Sequence, residues 1–190
     1  MRKKSIFLGM TAMAFVLGMA FAGCDISTGS DAGTYPVGGR GPAGGWIFYD
    51  KGEFSDGWRY LEAAPVDISV TAAWGAYPDG VPGTATGIGA GKANTQIIVT
   101  KYPTPSNYAA NCCDAYVYGL FDDWFLPSKD ELNLMWTNLK RLDLVPFNGI
   151  SYWSSSQSNT YFSWYQLFNT GYQGYGAKDG TGSIRAVRAF

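Results

Sequence analysis

The sequence predicts an α+β domain, rich in loops, with two or so helices and short antiparallel strands. Strand-forming aromatics, 16% of the chain, recur in short runs broken by glycine, of which there are 25. That is strand-and-turn chemistry rather than a succession of long helices. One strong helix start stands out: Ser128 and Glu131 form a capping box, with Pro127 before it and Asp130 in the first turn. Charged residues make up only 15% of the 190 residues and hydrophobic ones 46%, enough for one sizeable core behind a processed N-terminus.

That N-terminus is a targeting segment. Arg2, Lys3 and Lys4 precede an apolar run from Ile6 to Phe21, which meets Ala22-Gly23 just before Cys24. The pattern is that of a signal peptide over residues 1–23, too short for a comfortable membrane span. Two cleavages compete. Ala20-Phe21-Ala22 suits an ordinary signal peptidase, whereas Phe21-Ala22-Gly23-Cys24 resembles a bacterial lipobox with Phe in the usual place of Leu. The isolated cysteine and the small polar residues after it favour the second. Residues 24–40 are therefore expected to be a lipidated Cys24 and a flexible tether, and residues 41–190 the folded domain.

In GGWIFYDKG an apolar run ends in a turn signal and predicts a first strand. GWRYLEAAP predicts a second, with Trp58, Tyr60 and Leu61 facing the core, paired as a hairpin across Gly52–Gly57. Residues 74–95 read as a long Gly-rich loop. Its GIGAGK is not a phosphate cradle, because Lys92 is followed by Ala93 rather than Ser or Thr. A short helix or strand follows through Ile97, Ile98 and Val99, then a helix over Ser106–Tyr118 whose apolar face takes in Ala109, Cys112 or Cys113, and Tyr116. The capped helix carries an apolar stripe of Leu132, Leu134, Met135 and Leu139 and ends near Lys140-Arg141. Asp130 and Glu131 point in different directions on that helix, so they read as capping groups rather than a catalytic pair.

From Asn148 to Ala177 there is no Asp, Glu, Lys or Arg, and Tyr, Trp, Phe, Ser, Gly, Asn and Gln crowd the stretch. Tyrosine and tryptophan supply large amphipathic contact area at low entropic cost, with Ser, Gly and Asn as adaptable hydrogen-bonding neighbours. So many hydroxyls and amides are not expected to be buried throughout. Alternation in YFSWYQLFN puts Phe162, Trp164, Gln166 and Phe168 on one face and Tyr161, Ser163, Tyr165, Leu167 and Asn169 on the other. Trp164 and Phe168 are taken as core anchors, so Tyr161, Ser163 and Tyr165 are expected to face outward, with Tyr172, Gly174 and Tyr175 beside them on a strand from Thr170 to Ala177. Tyr152–Ser155 reads as framework. IRAVRAF reads as one last strand, with Arg185 and Arg188 paired to acidic groups.

Composition also excludes functions. With no histidine, Ser-His-Asp and Cys-His catalysis and most zinc sites are removed. The adjacent Cys112-Cys113 reads as two small buried thiols rather than a strained vicinal disulfide. Signal cleavage leaves 11 basic against 15 acidic residues, a net charge of −4, which argues against a nucleic-acid partner. No cofactor, metal or catalytic residue is predicted.

FDDWFLPSKDELNLMW, YWSSSQ, W-x-Q-x-F and IRAVRAF, in this order, resemble the collagen-like-protein C-terminal domain family of bacterial surface proteins. The resemblance is strongest to treponemal variable lipoproteins diversified by retroelements. GGWIFYDKG, GWRYLEAAP and GIGAGKANT extend it to about residues 41–190. It implies a C-type-lectin fold of the formylglycine-generating-enzyme type, with a long loop region carrying the ligand surface. In the diversified relatives, variable codons yield Asn, Tyr, Ser, Gly, Thr, Leu or Phe but not Gln, Lys or Trp. By that rule Trp153, Trp164, Gln166, Gln173 and Lys178 would be scaffold. Ser158, Asn159, Tyr161, Ser163, Tyr165, Asn169, Tyr172, Gly174 and Tyr175 would be the ligand-binding set. The sugar-binding calcium motifs of true C-type lectins are missing, and the fold's enzymatic cysteines have no counterpart.

The expected function is that of a lipid-anchored protein of the bacterial cell envelope, surface-exposed, binding a protein or glycan through this segment. The alternatives are a structural or self-associating envelope lipoprotein and, with less support, an extracellular enzyme of the same fold.

Overall fold

The computed structural model describes residues 33–103 and 107–190. The signal peptide, Cys24 and the first part of the tether lie outside the described residues. Three helices and eight strands in two sheets make an α+β unit over Thr34–Phe190. Among the described residues no helix is long and apolar enough to cross a membrane.

The first hairpin forms as its alternating aromatics predict. Strand β1 (Trp46–Ser55) pairs antiparallel with β2 (Trp58–Ala63), turning at Asp56-Gly57. Tyr60 and Leu61 are buried, whereas Trp58 is only half-buried. The folded unit starts earlier than the expected Gly41. Gly38 N–H donates to the Ile47 carbonyl and Ile47 N–H to Gly39. The Tyr35 ring meets Tyr60 and Phe190 edge-on at 5.4 and 5.3 Å. Behind this turn sits buried Glu62, which accepts from Gly45 N–H at 2.6 Å and from Arg188 at 3.3 Å. A side chain at Gly45 would collide with the Ala63 carbonyl, so glycine is required there.

Strand β3 (Ser69–Ala73) leads into the Gly-rich loop, and the short element through Ile97–Val99 is a helix, α1, that begins at Gly91, inside the predicted loop, and runs to Lys101. The predicted helix over Ser106–Tyr118 is much shorter: α2 spans only Ala109–Asp114, with Cys113 buried and Cys112 half-buried, both free. Burial pushes both thiols above their ordinary pKa. Helix α3 (Lys129–Met135) carries the predicted capping box and continues as one π-helical turn over Trp136–Lys140. Glu131 does more than cap its own helix. One oxygen accepts from Ser128 N–H at 2.8 Å, and the other from Gly89 and Gly91 at 2.7 and 3.3 Å. An internal carboxylate thus occupies the glycine-lined start of α1.

Strands β4 (Ser151–Gln157), β5 (Phe162–Leu167), β6 (Gln173–Ala177) and β7 (Thr181–Ile184) complete the larger sheet, ordered β3-β7-β4-β5-β6. Its pairs are antiparallel except β4 with β7. One core cluster, with Trp74, Ile98, Trp124 and Trp153, is separate from a second that holds Phe48, Leu132, Tyr152 and Phe168.

IRAVRAF is not one strand. The chain bends at Arg185-Ala186, and β8 (Val187–Ala189) joins β1 and β2 in the smaller sheet. The corner forms around the buried Arg185 guanidinium, which donates to Asp67 at 2.7 Å and to the carbonyls of Ala64 and Pro146. Arg188 grips Asp123 through two nitrogens at 2.8 and 2.9 Å. Both arginines are therefore paired with acids, as predicted.

Candidate functional site

Alternation along β5 predicts one wet face and one dry face, and the structure departs from both. Ser163 is fully buried, its hydroxyl without a hydrogen-bond partner. Tyr165 is half-buried, edge-on to Trp153 at 6.1 Å. Gly174 is buried, and Ser158 is half-buried. The expected core anchor Trp164 is only half-buried, while Phe168 is buried as expected. The physical reason is that both faces of β5 are partly covered: α3 meets one at Gln166, through Asn133, and Trp153 packs on the other against Tyr165. A period of two locates solvent only where one face of a sheet is wet.

What emerges instead is a row of rings. Tyr77 lies 5.8 Å from Tyr161, Tyr161 6.3 Å from Phe162, and Phe162 5.6 Å from Tyr175. Tyr175 meets Trp164 edge-on at 5.9 Å, and the Lys129 ammonium stands 4.8 Å from the Trp164 ring centre. Tyr77, Tyr161 and Tyr175 are 48%, 48% and 58% exposed, too much for core side chains. Of the predicted set, Tyr161 and Tyr175 enter this row. Tyr77, Phe162, Trp164 and Lys129 were missed: alternation assigned Phe162 and Trp164 to the wrong side, and Tyr77 comes from a distant loop.

Local chemistry sets each position. Exposed Asn159 accepts from Tyr161 and Phe162 N–H at 2.8 and 3.0 Å, an Asx-type turn that aims the Tyr161 ring. The loop bearing Tyr77 is held through Asp79, which takes the Lys101 ammonium and the Tyr102 hydroxyl, both at 3.1 Å. The Lys101 ammonium holds the Asp79 carboxyl below its ordinary pKa. Lys178, fully buried, donates to the Asp79 carbonyl and to Gln157 Oε1. Burial pushes its pKa down to about 8. Gln166 bonds Asn133 and the Gly171 carbonyl at 2.9 and 3.0 Å, and Gln173 bonds the Lys129 carbonyl at 3.0 Å. Gln166, Gln173 and Lys178 thus tie the strands and the Tyr77 loop to their surroundings.

The serines of β4 explain how part of a charge-free, polar stretch is buried. Ser154, Ser155 and Ser156 are fully buried, and Ser156 donates to the Ala85 carbonyl while Ser155 accepts from Asn94. These hydroxyls hold the Gly-rich loop and α1 against the sheet. The segment is nonetheless not buried throughout: Asn159, Thr160, Tyr161, Asn169, Tyr172 and Tyr175 are exposed, as its polar composition predicts.

Tyr172, 62% exposed, lies apart from the row, over Gly174 on the Tyr165 side. A side chain at Gly174 would come within 2.8 Å of the Tyr172 ring and 3.0 Å of the Tyr165 hydroxyl. Asn169 is exposed at the β5–β6 turn. There Gly171 adopts φ 82° and leaves no room for a side chain against the Trp136 ring. The surface as a whole offers aromatic stacking, phenol hydrogen bonds and one cation. Among the described residues no group of His, Cys, Asp or Glu could hold a metal ion. No protein-family model matches the chain, and no curated protein matches it.

Proposed function

We propose that this chain is a lipid-anchored envelope protein whose domain, of C-type-lectin-like fold, binds a protein or glycan at the bacterial surface. On this reading it belongs with the collagen-like-protein C-terminal domains and their retroelement-diversified lipoprotein relatives. The observation that carries the binding function is the ring row Tyr77–Tyr161–Phe162–Tyr175–Trp164 with its three half-exposed tyrosines. Contiguous exposed aromatics on a secreted protein are a cost to solubility that contact with a partner offsets. Asn159 borders the row as an adaptable polar contact, while Asn169 and Tyr172 stand exposed at the β5–β6 turn, apart from it. Ser158, Ser163, Tyr165 and Gly174 act behind it, by shaping the backbone and the ring positions.

Screening the full chain against matrix proteins and glycans tests the reading, with Tyr161→Ala/Tyr175→Ala as the paired variant. Cys24→Ala should abolish detergent partitioning if the anchor is lipid. A reverse-transcriptase gene beside a near-duplicate of the last coding segment would mark diversification. Self-association is a second reading because, among the described residues, β6 ends the larger sheet with no strand beyond it. Mass measurement across a concentration series separates the two.

A further inference from the structure

We infer that a cleft beside the smaller sheet, lined by none of the aromatic row, binds a small carboxylate with an apolar ring or chain. The cleft lies between β2, the first turns of α1 and Phe125, and has a volume of about 390 Å³. Small-molecule pockets run from about 300 to 1,000 Å³. Its walls are mainly apolar: Trp58, Leu61, Phe125 and Ala189. Trp58 has a reason to stay half-exposed if its ring is a wall for a ligand.

The charges around the cleft decide the ligand's sign. Glu131 is saturated by the three backbone N–H groups described above. Asp56 stands at the rim with its side chain 90% exposed, 3.8 Å from Lys51. Gln96 donates its amide N–H to Asp114 at 2.8 Å, which leaves its carbonyl oxygen to accept. Lys92 differs from all of these: among the described residues it makes no ion pair or hydrogen bond. Its field reaches Asp123, but that carboxylate is already gripped by Arg188. Lys92 sits in the first turn of α1, whose start is already taken by the Glu131 carboxylate, so among the described residues the lysine is the one cation in the cleft's lining. An apolar cleft with one uncommitted ammonium selects an apolar monoanion. A phosphate dianion would call for several converging donors, and a neutral ring would leave Lys92 unused.

The test compares phenylacetate with its neutral isostere phenylacetamide, using the full chain and saturation-transfer NMR titrations. The acid should bind saturably and at least about tenfold tighter than the amide, the scale of one charge-assisted hydrogen bond. Lys92→Gln, on an exposed helix position, should bring the acid to the amide's level with unchanged circular dichroism, and Lys92→Arg should restore the preference. The proposal is overturned if phenylacetate shows no saturable binding, if acid and amide bind equally, or if Lys92→Gln keeps the preference.

Discussion

Lys178 offers the most discriminating physical test, because its ammonium is buried where the Tyr77 loop, β4 and β6 meet. Burial moves its pKa from 10.5 to about 8. A lysine with a depressed folded pKa makes the unfolded chain bind more protons between those values. Stability therefore rises with pH through that window. With those two pKa values the Lys178 contribution to stability rises by about 2 kcal/mol from pH 8 to pH 10. Cys112 and Cys113 act in the opposite direction. Their folded pKa values are raised above 9.0, so their contribution falls once the unfolded thiols ionise. Tyr102 and Tyr152, both raised by burial above 10.0, add a similar loss at higher pH. The observable is therefore the difference between the parent and Lys178→Met, in which the thiol and tyrosine contributions cancel. In urea, that difference should move the midpoint by about 1 M in favour of the parent between pH 8 and 10. At pH 7, Lys178→Met should be as stable as the parent or more stable, as for other buried charges replaced by apolar isosteres. A midpoint difference that is flat across pH 8–10 would refute the reasoning.

Three substitutions separate surface from framework. Tyr161→Ala/Tyr175→Ala removes rings that are about half-exposed, so it should cost no more than about 2 kcal/mol of stability in urea unfolding. Phe168→Ala, 1% exposed in the core, should cost about 3–5 kcal/mol in the same assay. Arg185→Met breaks the buried pair with Asp67 and should cost about 3–5 kcal/mol. Among the described residues Asp67 would keep the Tyr152 hydroxyl and Asn148 N–H, at 2.7 and 2.9 Å, as its remaining partners. A loss below 1 kcal/mol in thermal or urea unfolding would show that the β7–β8 corner does not depend on the pair.

What was legible in the sequence was local or carried by charge. The Ser128/Glu131 box and the first hairpin each lie within a few residues of chain, so their chemistry needs no knowledge of the fold. Arg185 and Arg188 announced acidic partners because a cation in a closing apolar strand must be paired. Their effect was not legible: Arg185 turns the chain out of one sheet and into another, which depends on Asp67 far earlier in sequence. The same limit governs the candidate site. Tyr161 and Tyr175 could be picked from composition, but Tyr77 joins them only through the loop held by Lys178 and Asp79. The faces of β5 were misassigned because alternation cannot tell that each side of that strand is partly covered. Glu62, enclosed by the Gly41–Gly45 turn, left no signal beyond the glycines themselves.

The central claim is that the ring row is a binding surface. Its most direct test is the affinity of Tyr161→Ala/Tyr175→Ala relative to the parent, measured for whichever matrix protein or glycan the full chain binds. The account predicts a loss of about 30-fold or more, the scale of an aromatic hot spot, with the fold intact by circular dichroism. Equal affinity in the folded variant would contradict it.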